Sequence, residues 1–511
     1  MTTTIVIGAG AAGAPLAARL SEDPAHEVLL IEAGNTGAFP AELLDATNVQ
    51  AAMPGHPANW AHPALLAPDA PYIIARGRVL GGSSTINGGG FVRARPEDFA
   101  AWADVAGPGW SYAAVLPTMR ALENDLDADP ATDAALHGSS GPMPVRRPAQ
   151  TSPAARAFTA AALELGFVHE HDKNAPGLPG VGAVPSNIVD GVRVNTGLAY
   201  IDPARDRPNL RVLGDTRALR IVFDGSRAIG VETSEDTLLA DEIVLCAGGI
   251  GSPHLLLASG IGPRLQLEAL GIRVVADLPV GESFSDHPDI NLGWRTAQRI
   301  ADPADLFAFP TALNFWSGVA PAGDDSRELA SAGDLEILLT VKSHDYLLTG
   351  TPAAASEPEE LQLIVGLQAP EGRGTIALAS ADPLEPPRIE YRYLDAPGDR
   401  ARLRVGIRTG VALLRSHAFA PIFGGLTEID DDTLRDDDLL DAWMLAHLGT
   451  AIHLSGSAPM GTVVDAHGRV LGVAGLRVAD TSILPTVPTR GPSATAVLIG
   501  ELIARSIRSG N

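Results

Sequence analysis

Cysteine is almost missing from these 511 residues: Cys246 stands alone, so no disulfide can close within the chain. Lysine is nearly as scarce. Lys173 and Lys342 are the only two, and arginine supplies the rest of the 37 basic residues, which 61 acidic residues outnumber. The net charge of −24 repels polyanions at long range, which argues against nucleic acid and anionic lipid as partners. Long apolar runs are missing too. The most helix-like stretch near the end, Ala494 to Ala504, is short and carries Glu501, well under the roughly 20 apolar residues of a membrane span. The opening MTTTIVIGAG has no basic segment followed by an apolar one, so no secretory signal is read there. These absences predict a cytoplasmic protein without disulfides or a membrane span.

What is present is apolar residue in quantity, 45% against 19% charged, enough for sizeable cores and too little charge for wholesale disorder. The length predicts two joined domains rather than one core. Residues 4–8 read as a buried strand, Ala9 to Leu20 as a small-residue helix and residues 28–32 as a second strand, together a β-α-β unit. Residues 75–95 are a glycine-rich loop with helical pieces, 110–124 are amphipathic, and 126–150 read as surface connection. Helices are expected at 155–166 and 399–417. Strands are expected at 210–213, at 219–232 around an Asp224-Gly225 hairpin turn, and at 241–247. Residues 290–395 change texture to alternating strands such as LEILLTV, which suits an antiparallel sheet, and 443–505 return to glycine-punctuated strand–turn–helix patterns. The expected fold is α/β, α+β overall: a discontinuous dinucleotide-binding domain (1–150, 190–285 and 443–511) with an inserted antiparallel-sheet substrate domain (151–189 and 286–442).

Gly8-x-Gly10-x-x-Gly13 follows the first strand and opens the helix. The first glycine permits the tight turn, the second lets backbone approach a pyrophosphate, and the third lets helix and strand pack closely. The helix N-terminus then offers free N–H groups and a positive dipole end. Glu32, ending the second strand, is placed to accept hydrogen bonds from a ribose. This unit predicts a bound dinucleotide but does not separate NAD from FAD.

Longer segments make that separation. RGRVLGGSSTINGGGFVRAR at 76–95, GGIGSPHLLLASGIG at 248–262, VGESFSDHPDIN at 280–291, RGTIALASADPLEPPRI at 373–389, HLSGSAPMG at 453–461 and GLRVADTSILPTVPTRGPS at 475–493 resemble the signatures of the glucose–methanol–choline (GMC) oxidoreductases. The resemblance runs from residue 3 to about 507. Residues 123–147 are similar to a bacterial branch that includes choline dehydrogenase-like, furfuryl- and aryl-alcohol oxidase-like and mycofactocin-associated members.

That resemblance implies an FAD enzyme oxidising a small-molecule alcohol, with oxygen or another redox carrier as electron acceptor and no metal. It assigns Gly8, Gly10, Ala12, Gly13, Glu32 and Ala33 to the AMP half. Arg76, Gly81, Gly82, Ser83, Asn87 and Gly88 are to run past pyrophosphate and flavin. Val212, Ala247, Gly248, Asp480, Pro492 and Ser493 complete the cofactor set. Relatives that attach FAD covalently use a histidine just before the asparagine. Ile86 stands there, so noncovalent FAD is expected. His453 matches the histidine that faces the flavin and is the expected general base, since imidazole can accept the hydroxyl proton at neutral pH. Ser493 is matched to the position of a second His or Asn. It is either a catalytic hydroxyl or the N-cap of the last helix, whose dipole would favour negative charge on reduced flavin. Asn314 is one residue that would replace the missing partner. An FAD-containing lyase or a specialised tailoring enzyme is the alternative function.

Three further residues are expected to be structural: Cys246 as an inert core thiol, His287 in its DHP triplet, and His447 in a helix. Asp480 would equally suit a turn. Phe307, Phe309, Phe315 and Trp316 are either pocket wall or core.

Overall fold

The computed structural model describes residues 2–510 apart from 130, 301–306, 321–329 and 351–358. One sheet is wholly parallel. Its strands run Leu210–Leu213, His26–Ile31, Thr2–Ile7, Glu242–Leu245 and Leu476–Val478, in that order. Helices cover both faces of such a sheet, so its strands read as nearly unbroken apolar runs, here TIVI, VLLI and IVL. The chain leaves the central strand Thr2–Ile7 toward one side first and the other side later. The carboxyl end of that strand is therefore the switch point at which such sheets bind ligands. The helix after it spans Gly13–Leu20, four residues shorter than the sequence suggests. Residues 8–12 stay out of it; the Gly8 and Ala9 amides bond Ile31 and Glu32, and those of residues 10–12 are left toward a ligand.

A second sheet is antiparallel throughout. It runs Phe423–Leu426, Pro288–Thr296, Glu360–Leu367, Leu335–Leu339, Thr311–Phe315 and Val181–Ala183, with Leu448–Thr450 pairing the start of Pro288–Thr296. Helix Pro397–Leu414 lies across it and shares an apolar core with Trp294 and Phe419. The expected antiparallel run was too long at its end: Thr375–Ala377 and Arg388–Glu390 leave for a separate sheet with His62–Leu65 and Pro71–Ile74. The hairpin near 224 turns over Gly225 and Ser226, one residue later than read, because Asp224 still pairs with Arg227 and Gly225 takes the positive φ of +63°.

Residues 126–150 are more than surface connection. Strands Glu123–Asp125 and Met143–Val145 pair there, and His137 is buried between carboxylates. Its Nδ1 lies 3.0 Å from Asp125 and 3.1 Å from Glu123, and its Nε2 2.8 Å from Asp172. Burial pulls this imidazole down, but the three carboxylates outweigh it and push it up to about 11. Arg93 binds Glu123 at 2.5 Å, and Arg147 bridges Asp125 and Asp172. Among the described residues, Glu123, Asp125 and His137 form the grouping with metal-ligand spacing, and all three are already held by one another and by arginine. Among the described residues, no helix is long and apolar enough to cross a membrane.

Candidate active site

A cavity of about 620 Å³ runs from the carboxyl end of the parallel sheet to the antiparallel sheet. At its first end the wall is mostly backbone. Gly8 takes φ +98°, and a Cβ there would sit 2.5 Å from the Cys246 carbonyl oxygen. A Cβ on Gly13 would fall 1.9 Å from the Gly8 oxygen, so helix and strand meet only because none is present. Glu32 is fully buried and accepts from the amides of Ala9 at 3.0 Å and Gly34 at 2.9 Å. Burial raises its carboxyl to about 7 against those amides. Asp480 accepts from the Gly248 amide at 2.9 Å and the Ser252 hydroxyl at 2.5 Å, which clamps the turn into the helix Gly248–Ala258. It thus serves as both turn former and cavity wall.

Of the residues expected at a cofactor, Gly8, Gly10, Ala12, Glu32, Ala33, Arg76, Gly82, Ser83, Asn87, Gly88, Ala247, Gly248, Asp480, Pro492 and Ser493 all line this cavity. Gly13, Gly81 and Val212 are not among the lining residues, and Val212 sits in the outermost strand of the sheet. Cys246 is buried beneath the Gly8 turn, its thiol pushed far up by burial. The backbone cradle, the helix N-terminus and the elongated volume fit a dinucleotide.

The other end is built from side chains far apart in sequence. Antiparallel pairing of Pro288 with Thr450 sets the segments before and after them side by side. The Asp286 Oδ1 accepts from the backbone amides of His287 and His453, each at 2.7 Å. The two imidazoles cross at 88° with their Nδ1 atoms 3.0 Å apart. His287, read from the sequence as structural, is therefore the direct partner of His453. Burial lowers both rings, His287 to about 3; the neighbouring His287 and the Arg76 guanidinium lower His453 further. Ile452, between the strand and His453, has φ +61°, a region that costs a β-branched residue about 1–3 kcal/mol. Arg76 Nη1 holds its carbonyl at 2.6 Å, and the Thr450 hydroxyl accepts from its amide at 3.2 Å. Asp289 also lines the cavity, its carboxyl raised to about 7 by burial and by Asp286.

Ser493 lines the cavity but is not the cap of the last helix. It is the first residue of the helix Ser493–Arg508, Pro492 is the cap, and no side chain bonds the free amides. With helical backbone angles the serine cannot reach back to them. The backbone beside the base is Gly491: a Cβ there would lie 3.5 Å from His453 Cε1 and 3.6 Å from Nε2. Gly491, two residues before Ser493, thus offers no side chain as a partner for that ring. Asn314 does not supply one. That residue accepts from Lys173 Nζ at 2.8 Å and donates to Glu336 at 2.9 Å. Lys173 and Glu336, not Asn314, reach the cavity. Phe307 and Phe309 line it, Phe315 packs in the core against Phe167, and Trp316 is exposed. His447 follows the helix Asp437–Ala446 as its C-cap.

The DHP triplet and the strand after it are a sequence signal that could have found His287. Nothing in the sequence marks the backbone of Ile452.

Models of the GMC oxidoreductase N- and C-terminal regions match residues 2–289 and 370–500. The chain is 39% identical to a GMC-type oxidoreductase of Rhodococcus erythropolis, over 97% of this chain and 96% of that one. It is 33% identical to an oxygen-dependent choline dehydrogenase of Brucella anthropi, over 97% and 94%. Among solved structures, pyridoxine 4-oxidase from Mesorbium loti superposes with a TM-score of 0.88 at 28% identity, covering 100% of this chain and 99% of the other. This chain therefore belongs to the GMC oxidoreductase family and is an FAD-dependent alcohol oxidoreductase.

Proposed function

We propose that the protein oxidises the CH–OH group of a small alcohol, with His453 taking the hydroxyl proton. The observation that carries this reading is a buried imidazole kept neutral, with its Nε2 edge at the cavity beside Gly491. A neutral imidazole there has a lone pair for the proton as the C–H bond breaks. FAD, when bound, supplies the acceptor for the hydride. Gly8, Gly10, Gly82 and the helix Gly13–Leu20 would hold its diphosphate and Glu32 its ribose. Arg76, Asn87, Gly88 and Ser493 would lie along its flavin half, beside the N-terminus of Ser493–Arg508, whose dipole favours negative charge there. Ile86 has no nucleophilic atom, so FAD stays noncovalent. Phe307, Phe309, Val184 and Leu338 give the substrate end an apolar wall, which expels water and strengthens charge interactions inside.

In this reading segments 1–150, 190–285 and 443–511 carry FAD, and 151–189 with 286–442 supply the substrate wall. Oxygen or another redox carrier reoxidises the enzyme, in the cytoplasm.

The test is anaerobic addition of choline, pyridoxine and benzyl alcohol to the purified yellow protein, followed by air. Bleaching of the visible flavin band by at least one alcohol supports the reading, and peroxide on re-aeration identifies oxygen as acceptor. Substrate consumption without bleaching would mark a lyase and sink it. Acid precipitation should leave intact FAD in solution.

A further inference from the structure

We propose that His287 is the positioning residue that fixes the tautomer of His453: its Nδ1 accepts from the His453 Nδ1–H and so turns the Nε2 lone pair of His453 to the cavity. The inference rests on His453 being the base.

A neutral imidazole carries one N–H and one lone pair. With the two Nδ1 atoms 3.0 Å apart, one must donate and the other accept. Two hydrogens there would collide, and two lone pairs would repel. The contact thus has two complementary arrangements, and the far nitrogen of His287 chooses between them. That Nε2 is buried without a hydrogen-bond partner, and the backbone carbonyls of Pro488 and Gln368 act on the ring as acceptors that favour hydrogen on it. Carbonyls only accept, so they attract an Nε2–H and repel an Nε2 lone pair. A hydrogen on Nε2 leaves His287 Nδ1 as the acceptor, which puts the hydrogen of His453 on its own Nδ1.

The charged groups around the pair act in the same direction. The Arg490 guanidinium faces His287, and Arg76 faces His453. Both oppose an extra proton on the resting pair. Asp286 spends Oδ1 on the two backbone amides, which holds both rings in place rather than ionising either. Asp289, its neighbour, has its carboxyl raised to about 7 and so carries only part of a full negative charge near neutral pH. Once the substrate proton reaches His453 Nε2, the Nδ1–H to His287 becomes a charge-assisted donor and strengthens. His287 thus favours the state formed during reaction over the resting one, without touching substrate.

The test uses FAD-loaded protein labelled with ¹⁵N-histidine, with His453 signals assigned from a His453→Gln control. In the parent, His453 should show hydrogen on Nδ1 and a bare Nε2, and His287 the reverse. His287→Leu removes the acceptor: His453 should move its hydrogen to Nε2, and anaerobic flavin reduction by the fastest alcohol should fall roughly tenfold, with KM little changed. His287→Asn supplies a side-chain oxygen at a similar place and should restore most of both. A parent His453 with hydrogen on Nε2 overturns the proposal, as do Leu and Asn variants that behave alike in tautomer and rate. If His287→Leu does not fold, the parent tautomer decides alone. A His453→Ala enzyme that reduces its flavin at the parent rate removes the base instead, and leaves the tautomer result standing.

Discussion

The two ends of the cavity are made of different material. The nucleotide end is backbone: amides of Ala9, Gly34 and Gly248, glycines too close to their neighbours to carry a Cβ, and a helix terminus. The catalytic end is side chain: Asp286, His287, Arg76 and His453, drawn from three segments and held by a strained turn at Ile452. A backbone site tolerates many residues and fails only where a Cβ intrudes. A side-chain site fails when one group is lost, because the other groups exist to place it.

The largest break should come at the catalytic end. His453→Ala should slow anaerobic flavin reduction by about 10²–10⁴-fold while the protein stays yellow. Equal loss of bound FAD would mean the histidine holds cofactor rather than moving a proton. Next comes the backbone end. Gly13→Ala drives a methyl onto the Gly8 carbonyl and the Cys246 side chain, and should cost about 1–3 kcal/mol. A lower Tm together with paler protein, at an unchanged reduction rate per bound flavin, would show that the two ends fail separately. A smaller effect separates Gly491 from Ser493. Gly491→Asn puts an amide against His453 and should change the rate on small primary alcohols more than Ser493→Ala, which should cost no more than about 0.5–1.5 kcal/mol. The reverse ranking would make Ser493 the second position. The smallest effect is an expected absence. Burial lowers His453 well below its usual value, so the unprotonated form persists as pH falls. In an Asp289→Asn background, which removes the cavity carboxyl raised to about 7, the reduction rate should therefore hold steady from about pH 8 to about pH 6.5, where an ordinary histidine would already have lost half its free base. A limb centred at or above 6.5 would show that His453 is not held neutral as described.

The same division explains what the sequence disclosed. Gly8, Gly10, Gly13 and Glu32 sit within one β-α-β unit, and the spacing of a glycine loop is itself the geometry, so the parallel sheet and its cradle were readable. Val212 lies in the sheet's outermost strand, a matter of strand order that no local pattern fixes. The partnership of His287 with His453 spans 166 residues and depends on the pairing of Pro288 with Thr450. His287 alone looks like any buried histidine. Gly491 beside His453 went unread because glycine offers no side chain to recognise, and a serine nearby did. His137 was hidden for another reason: its stretch is rich in polar and turn residues, and only the fold shows that Arg93, Arg147 and three carboxylates satisfy one another inside.

The solitary thiol under the Gly8 turn has a practical consequence. Cys246 is buried and its thiolate strongly disfavoured, so maleimide or iodoacetamide should leave the native protein unlabelled. A cysteine introduced anywhere on the surface would then be the sole attachment point for a dye or spin label, with no background to subtract and no native residue to remove first.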